Sequence, residues 1–386
     1  MRLEKAVNIE DLHKMSKRYL PRAVFDFVEG GCEDEIGIAH NETAFAAYRL
    51  IPRYLVDIRE RSHETSLFGR TYSLPFGIAP TGGVGLARRG MECMQAAEAA
   101  AANIPFILSG ASNSSIEETF KHAPQHMWYQ LYASKELKDS EDMIRRAKDV
   151  GVGTLVITVD TPLRSRRERN IRNGFTSPRS MGLGTMLEAA THPGWLLEYL
   201  RCGGEPYHET WRAYVKAGAS AYEVSTYVSQ HLLPPQSWDE IHRLRQQWPG
   251  KFVIKGIMSP ADALKAIEIG TDGIVISNHG GRQLDRAPSS IEMLPIIKAA
   301  VGDRLTLMLD SGVRRGSDIV IALCLGAEYV FTGRATLYGG IAGGRPGVKK
   351  AIDILRAELD AVMGQIGAPT IASLGPDFVR SPSSGQ

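Results

Sequence analysis

His279 and Arg282 stand three residues apart in the stretch Ile276-Ser-Asn-His-Gly-Gly-Arg-Gln-Leu-Asp285. An imidazole there can take a proton from a substrate whose negative group the guanidinium holds. A loop histidine beside a solvated arginine is the plain alternative, and the neighbours decide between the two. Asp160 closes the apolar run Leu155-Val-Ile-Thr-Val-Asp160. A carboxylate at the end of such a run is costly unless paired, and orienting His279 would pair it. Lys255 closes Phe252-Val-Ile-Lys255, where an ammonium could stabilise negative charge developing on an electron-rich ring. The cluster Arg164, Arg166, Arg167 and Arg169 follows Asp160. One inward member would clamp a carboxylate through two parallel hydrogen bonds, and the others would be solvated. Two glycine-bearing loops, Asp310-Ser-Gly-Val-Arg-Arg-Gly-Ser317 and Thr332-Gly-Arg-Ala-Thr336, read as a phosphate cradle of backbone N–H groups and arginines.

These groups need a scaffold that brings them to one place. Short apolar runs occur at 76–79, 106–109, 127–131, 155–159, 252–255, 274–277, 305–310 and 329–332. They are continuous rather than alternating, as in strands buried on both faces. Helical patterns follow at 91–102, 115–121, 140–149, 260–269, 288–300 and 316–325, and 238–247 reads as a further barrel helix. The pattern predicts an α/β fold, a (β/α)8 TIM barrel, whose chemistry sits at the C-terminal ends of the strands. Loops after strands seven and eight are the usual phosphate site of that barrel. A doubly wound sheet would want Gly-x-Gly-x-x-Gly after an early strand, and none is placed so.

The chain reads as a single domain, 1–386, with additions. Residues 1–70 form an N-terminal helical extension, helical over 11–17 and again after Pro21. The connection 164–249, after strand four, is far longer than an ordinary loop and so carries function. Its middle, 181–235, is rich in Trp, Tyr, Leu and Gly and reads as a lid, an interfacial membrane segment or an oligomer contact. Glu188, Glu198, Arg201 and Glu209 interrupt it too often for a membrane span. Residues 379–386 read as a flexible tail.

With 386 residues, 43% hydrophobic, 23% charged and a net charge of +2, the chain has an ordinary globular composition and no sign of nucleic-acid binding. Cys32, Cys93, Cys202 and Cys324 match no metal spacing, so no metal is expected and free thiols in a reducing cytoplasm are. Residues 1–11 are charged and lack a signal-peptide core.

Five motifs, in order, carry a resemblance: Ala79-Pro-Thr-Gly82, Tyr129-Gln-Leu-Tyr132, Thr158-Val-Asp-Thr-Pro162, Ser277-Asn-His-Gly-Gly-Arg-Gln-Leu-Asp285 and Leu309-Asp-Ser-Gly-Val-Arg-Arg-Gly316. The chain resembles the FMN-dependent α-hydroxy-acid dehydrogenases and oxidases (glycolate oxidase, lactate dehydrogenase, mandelate dehydrogenase), and mandelate dehydrogenase most. The resemblance implies oxidation of an (S)-2-hydroxy acid, bulky or aromatic, to the 2-oxo acid. His279 would be the base, oriented by Asp160. Arg167 and Arg282 would hold the substrate carboxylate, and Tyr132 would bond its hydroxyl. Lys255 would face the flavin. Ala79, Pro80, Thr81, Gly82, Ser109, Gln130, Thr158 and Ser277 would line the flavin ring, and Asp310 the ribityl chain. Gly312, Arg314, Gly333 and Arg334 would hold the phosphate. Oxygen, a quinone or a carrier protein would take the electrons. A homo-oligomer, a tetramer among relatives, is implied, as is peripheral contact of 181–235 with the inner face of the cytoplasmic membrane. A short-chain lactate or glycolate enzyme is the alternative. Another phosphate-binding barrel, such as an isoprenoid diphosphate isomerase, would not need His279, Arg282 and Arg167 together.

The chain departs from the family at three positions, and a fourth residue bears on the electron acceptor. Phe27 stands in Phe25-Asp26-Phe27 where the family commonly has Tyr, which removes one hydrogen bond to the substrate carboxylate. Ala111 replaces the Trp of short-chain oxidases and leaves a larger pocket. Arg164 replaces an apolar or small pocket residue, and either meets an anionic or polar end of the substrate or points to solvent. Gly82, rather than Ala, tilts the acceptor towards a quinone or carrier.

Overall fold

In the computed structural model, which describes residues 2–174, 183–232 and 236–381, the apolar runs become eight strands. They are β1 (Phe76–Ile78), β2 (Phe106–Ser109), β3 (Met127–Leu131), β4 (Thr154–Thr158), β5 (Lys251–Ile257), β6 (Gly273–Ile276), β7 (Thr306–Leu309) and β8 (Tyr329–Thr332). All pair in parallel with their neighbours and close into a barrel in chain order. Around it run α1 (Met91–Ala101), α2 (Ile116–His122), α3 (Leu137–Val150), α4 (Trp238–Gln247), α5 (Pro260–Glu268), α6 (Ser290–Val301), α7 (Gly316–Cys324) and α8 (Arg334–Ile366). The TIM barrel expected from the pattern of runs is the observed fold.

Side chains alternate along a strand, and that alternation separates two cores. Tyr129 and Leu131 of β3 point outward into the strand–helix layer, whereas Trp128 points inward. Val156, Val253, Val275, Met308 and Phe331 join Trp128 inside. The hairpin of Thr65–Leu67 and Arg70–Tyr72 plugs the barrel's N-terminal end: Leu67, Phe68 and Tyr72 pack into this interior, with the Tyr72 and Tyr329 rings 5.8 Å apart. The N-terminal half of the barrel is thus apolar, leaving the C-terminal mouth for polar groups. Sequence reading assigned only helices to 1–70; the hairpin corrects that, its strands being too short to show alternation.

The N-terminal helix Ile9–Tyr19 starts where the Asn8 side chain accepts from the Asp11 N–H at 2.8 Å, and it packs on α8 through Ile9, Leu12 and Ser16. A second helix, Arg22–Glu29, follows Pro21. The helical patterns read from the sequence do not include 334–366. There α8 is two helical pieces meeting at a kink, with Gly343 and Gly344 in non-helical conformations, and it buries Ile341, Val348, Ile352, Leu355 and Leu359.

The β4–β5 connection contains helices Glu168–Arg172, Leu183–Ala189, Pro193–Arg201 and Ala221–His231 before α4. Residues 181–182 and 233–235 of the expected lid, and 382–386 of the expected tail, lie outside the described residues. Among the described residues no helix is long and apolar enough to cross a membrane.

Candidate functional site

The barrel mouth opens on a cavity of about 440 Å³ lined by Phe27, Tyr132, Arg164, Arg167, Lys255, His279 and Arg282, among others. His279 reaches it because the loop after β6 turns through three consecutive left-handed residues, with φ of 58° at His279, 65° at Gly280 and 73° at Gly281. Glycines meet that demand without strain; His279 does not, and strain of about 1–2 kcal/mol is typical of a position retained for its side chain. His279 Nδ1 lies 2.8 Å from Asp160 Oδ1. An ionised carboxylate only accepts, so Nδ1 carries the hydrogen and Nε2 keeps its lone pair. Nε2 in turn lies 3.5 Å from the Tyr132 hydroxyl.

Asp160 stands two residues past the end of β4 rather than closing it. The space beside it exists because position 256 is glycine: a Cβ there would fall 2.5 Å from the Asp160 Cβ. Lys255 likewise does not close its strand; β5 continues to Ile257 past a register irregularity between Lys255 and Ile257. Lys255 donates to Ser277 Oγ at 2.7 Å and pairs with Asp310 at 3.1 Å, both partners buried.

These neighbours set the charge states. Burial pushes the His279 imidazole below its ordinary 6.5, and Lys255 and Arg167 add to that, while Asp160 opposes it. Against the upward push of burial, His279 and Lys255 hold the Asp160 carboxyl below its usual value. Burial works against the charge on Lys255, but Asp310 and Asp160 raise its pKa overall. Burial, then Asp160, pushes the Tyr132 hydroxyl up to about 12. At neutral pH the site therefore holds a neutral imidazole beside a neutral phenol and a charged lysine.

Two of the cavity arginines crowd each other. Burial, then Arg167 and Arg334, pulls the Arg282 pKa well below 12.5, and burial lowers Arg167. Repulsion of this kind is relieved by an incoming anion. Arg282 is meanwhile held by the C-terminal end of helix Arg22–Glu29, donating to the carbonyls of Phe27 at 3.0 Å and Gly30 at 2.7 Å. Arg334 shares that end, bonding Val28 and Gly30 at 3.3 Å each. Cations suit the negative pole of a helix. The other members of the basic cluster part company: Arg166 is exposed, and Arg169 pairs with Glu35 and with Asp26.

The residues fit FMN. At the mouth the inward position of six of the eight strands turns polar: Ser109 after Ile107, Gln130 after Trp128, Thr158 after Val156, Lys255 after Val253, Ser277 after Val275 and Asp310 after Met308. Ser109 pairs with Gln130 across β2–β3, and Thr158 with Lys255 across β4–β5. Gln130 Oε1 accepts from Ser109 Oγ at 3.2 Å, but its Nε2 is buried with no partner, as is Thr158 Oγ1. Buried orphan groups of this kind ask for a polar ligand edge. Ala79, Pro80, Thr81 and Gly82 line the same cavity. On the phosphate side are Gly312, with φ 90°, Arg314, Gly333 and Arg334, the last beginning α8. A Cβ on Gly312 would lie 2.1 Å from the Asn41 carbonyl oxygen. An arginine at a helix start beside left-handed loop residues suits a phosphate. Arg314 also pairs with Glu42 at 2.9 Å.

Sequence reasoning missed one wall of the cavity: His208, with Ser225, Val228 and Ser229 of helix Ala221–His231 and the following Leu232. The signal for that helix was present, since Ser220 and Glu223 form a capping box. It also missed Gln283, which donates to the Asp160 carbonyl at 3.1 Å.

Phe27 lines the cavity with its ring 5.7 Å from the Arg282 guanidinium. A phenol at that position should add one hydrogen bond to an anion held by Arg282. We expect Phe27→Tyr to tighten binding of simple 2-hydroxy acids by about 1.5–3 kcal/mol, read by titrating flavin absorbance with a slow substrate analogue. Unchanged binding would place the carboxylate away from residue 27.

Comparison with known proteins points the same way. Residues 16–381 match the family of FMN-dependent dehydrogenases. The (S)-mandelate dehydrogenase of Pseudomonas putida is 39% identical over 376 residues, 97% of this chain and 94% of that protein. A putative L-lactate dehydrogenase of Mycobacterium tuberculosis is 38% identical, over 98% of this chain and 90% of its own length. A crystal structure described as the monotopic membrane protein (S)-mandelate dehydrogenase superposes with a TM-score of 0.93 at 39% identity, covering 98% of this chain and 100% of that one.

Proposed function

Because this chain belongs to the FMN-dependent dehydrogenase family, an FMN-dependent oxidoreductase of 2-hydroxy acids, we propose that its substrate is an (S)-2-hydroxy acid with a bulky or aromatic side chain, resembling mandelate, which it converts to the 2-oxo acid. The observation that carries this is the meeting of His279 Nε2, the Tyr132 hydroxyl and two crowded guanidiniums around one cavity. Room for a ring follows from Ala111, a small residue on that lining.

The proposed roles follow from the charges. Arg167 and Arg282 receive the substrate carboxylate, which relieves their mutual repulsion and orients the α-carbon. Tyr132, held protonated, bonds the substrate hydroxyl. His279 Nε2 accepts a proton, and the resulting imidazolium is stabilised by Asp160. FMN, held by Gln130, Thr158, Lys255 and the Gly312–Arg334 cradle, supplies the two-electron sink. Lys255 provides positive charge where negative charge develops. The test is anaerobic stopped-flow absorbance with aromatic and short 2-hydroxy acids, then mixing with oxygen or a quinone. Bleaching by an aromatic acid supports the reading; a flavin untouched by the whole panel overturns it.

The His279 pKa lies below 6.5, so the base is neutral at pH 7 and the rate of reduction falls only as pH drops through that depressed value. Asp160 is the group that raises it, so Asp160→Asn should move the acid limb to lower pH while slowing reduction. An acid limb that moves up would mean that Asp160 does not pair with the base.

Membrane association belongs to the same proposal. Leu187, Leu197 and Leu200, on helices Leu183–Ala189 and Pro193–Arg201, are 75%, 52% and 62% exposed. Exposed leucines on neighbouring short helices suit peripheral insertion into a bilayer surface, and the (S)-mandelate dehydrogenase structure that superposes at 39% identity is described as monotopic.

A further inference from the structure

Among the arginines and lysines of the described residues that line the cavity, all but one have a task proposed above or a counter-charge. Lys255 has Asp310. Arg167 and Arg282 suit the carboxylate, and Arg314 and Arg334 suit a phosphate. Arg164 also lines the cavity, and its Nη2 donates to the Ser229 carbonyl; among the described residues no carboxylate pairs with it. Its wall is helix Ala221–His231 with the following Leu232, which contributes no group to the proton transfer proposed above.

That wall is mixed in character. Val228 and Leu232 offer apolar surface for a ring. Ser225 and His208 stand among them, with His208 Nδ1 3.2 Å from the Ala111 carbonyl oxygen. A bare phenyl group would cover the Arg164 guanidinium at the rim without offering it an acceptor. A ring bearing an oxygen would offer one.

Building on the 2-hydroxy-acid reading above, we propose that Arg164 is a specificity-determining residue which receives a second oxygen, anionic or hydrogen-bond accepting, at the far end of the substrate's side chain. The preferred substrates are then aromatic 2-hydroxy acids that carry a ring carboxylate or a phenolic oxygen. Arg164 is exposed at the rim, so its guanidinium can exchange the Ser229 carbonyl for a substrate oxygen without unpacking the core.

The experiment measures kcat/KM of the FMN-loaded enzyme for (S)-mandelate, (S)-4-hydroxymandelate and (S)-4-carboxymandelate, in the wild type, Arg164→Leu and Arg164→Lys. The expected result is a preference of about tenfold or more for at least one ring-oxygenated acid over mandelate, as one charge-assisted hydrogen bond provides. Arg164→Leu should bring that ratio down to about one, and Arg164→Lys should retain part of it. Preference for the carboxylate identifies an anion as the recognised group, and preference for the phenol a neutral oxygen. A wild-type ratio of one or less for both acids, or a ratio unchanged in Arg164→Leu, overturns the proposal while leaving hydroxy-acid oxidation standing. Failure of all three acids and of lactate to bleach the flavin removes the functional reading itself.

Discussion

His279→Ala should yield a yellow protein whose flavin no 2-hydroxy acid reduces at a useful rate. The groups that fit FMN (Gln130, Thr158, Lys255 and the Gly312–Arg334 loops) do not depend on the imidazole, so cofactor absorbance should survive desalting. Reduction should slow by roughly 10²–10⁴-fold, the usual contribution of a positioned general base. Alanine also strands the buried Asp160, whose Oδ2 already has no partner, and some stability will be lost with it. His279→Gln separates the two effects: a side-chain amide can still donate to Asp160 but cannot take a proton at neutral pH. Both variants should bind FMN and fail to reduce it. Fast single-turnover reduction in either would remove His279 as the base.

Arg282→Met should have the next largest effect, in two readouts. Losing one of two guanidiniums that meet the carboxylate should cost about 3 kcal/mol, or roughly a hundredfold in kcat/KM. The same guanidinium bonds the carbonyls of Phe27, Val28 and Gly30 at the end of helix Arg22–Glu29. Those acceptors lose a donor, so the melting temperature should fall as well. Arg282→Lys keeps the charge but not the planar fork, and should recover stability better than kcat/KM. An Arg282→Met enzyme with wild-type kcat/KM would show that the carboxylate binds elsewhere, whatever its melting temperature.

The site was legible where its encoding is local. Along β3, Trp128 and Gln130 share a face, and so do Val253 and Lys255 on β5. A run that is apolar and then ends on a polar residue at the same parity marks a barrel mouth, because strand side chains alternate with a period of two. The His-Gly-Gly turn is local too, since its three left-handed residues are adjacent. The capping box at Ser220 was equally local and could have disclosed the helix that walls the cavity, had it been weighed.

Other features had no local trace. The N-terminal helix end that holds Arg282 lies more than 250 residues away along the chain, and nothing in its own sequence says which loop it will cap. The vacancy beside Asp160 depends on a glycine in a different strand. How the two pieces of α8 sit on either side of the non-helical Gly343–Gly344 is set by packing against Ile9–Tyr19. So the chain on its own determined the barrel, the order of its strands and the residue types at the mouth, through short-range alternation and turn chemistry. Closure decided which of those residues share a cavity, which guanidinium is parked on a helix end, and that Arg164 lines the same cavity. Contacts between distant segments depend on how whole layers pack, and neighbours in sequence do not record that.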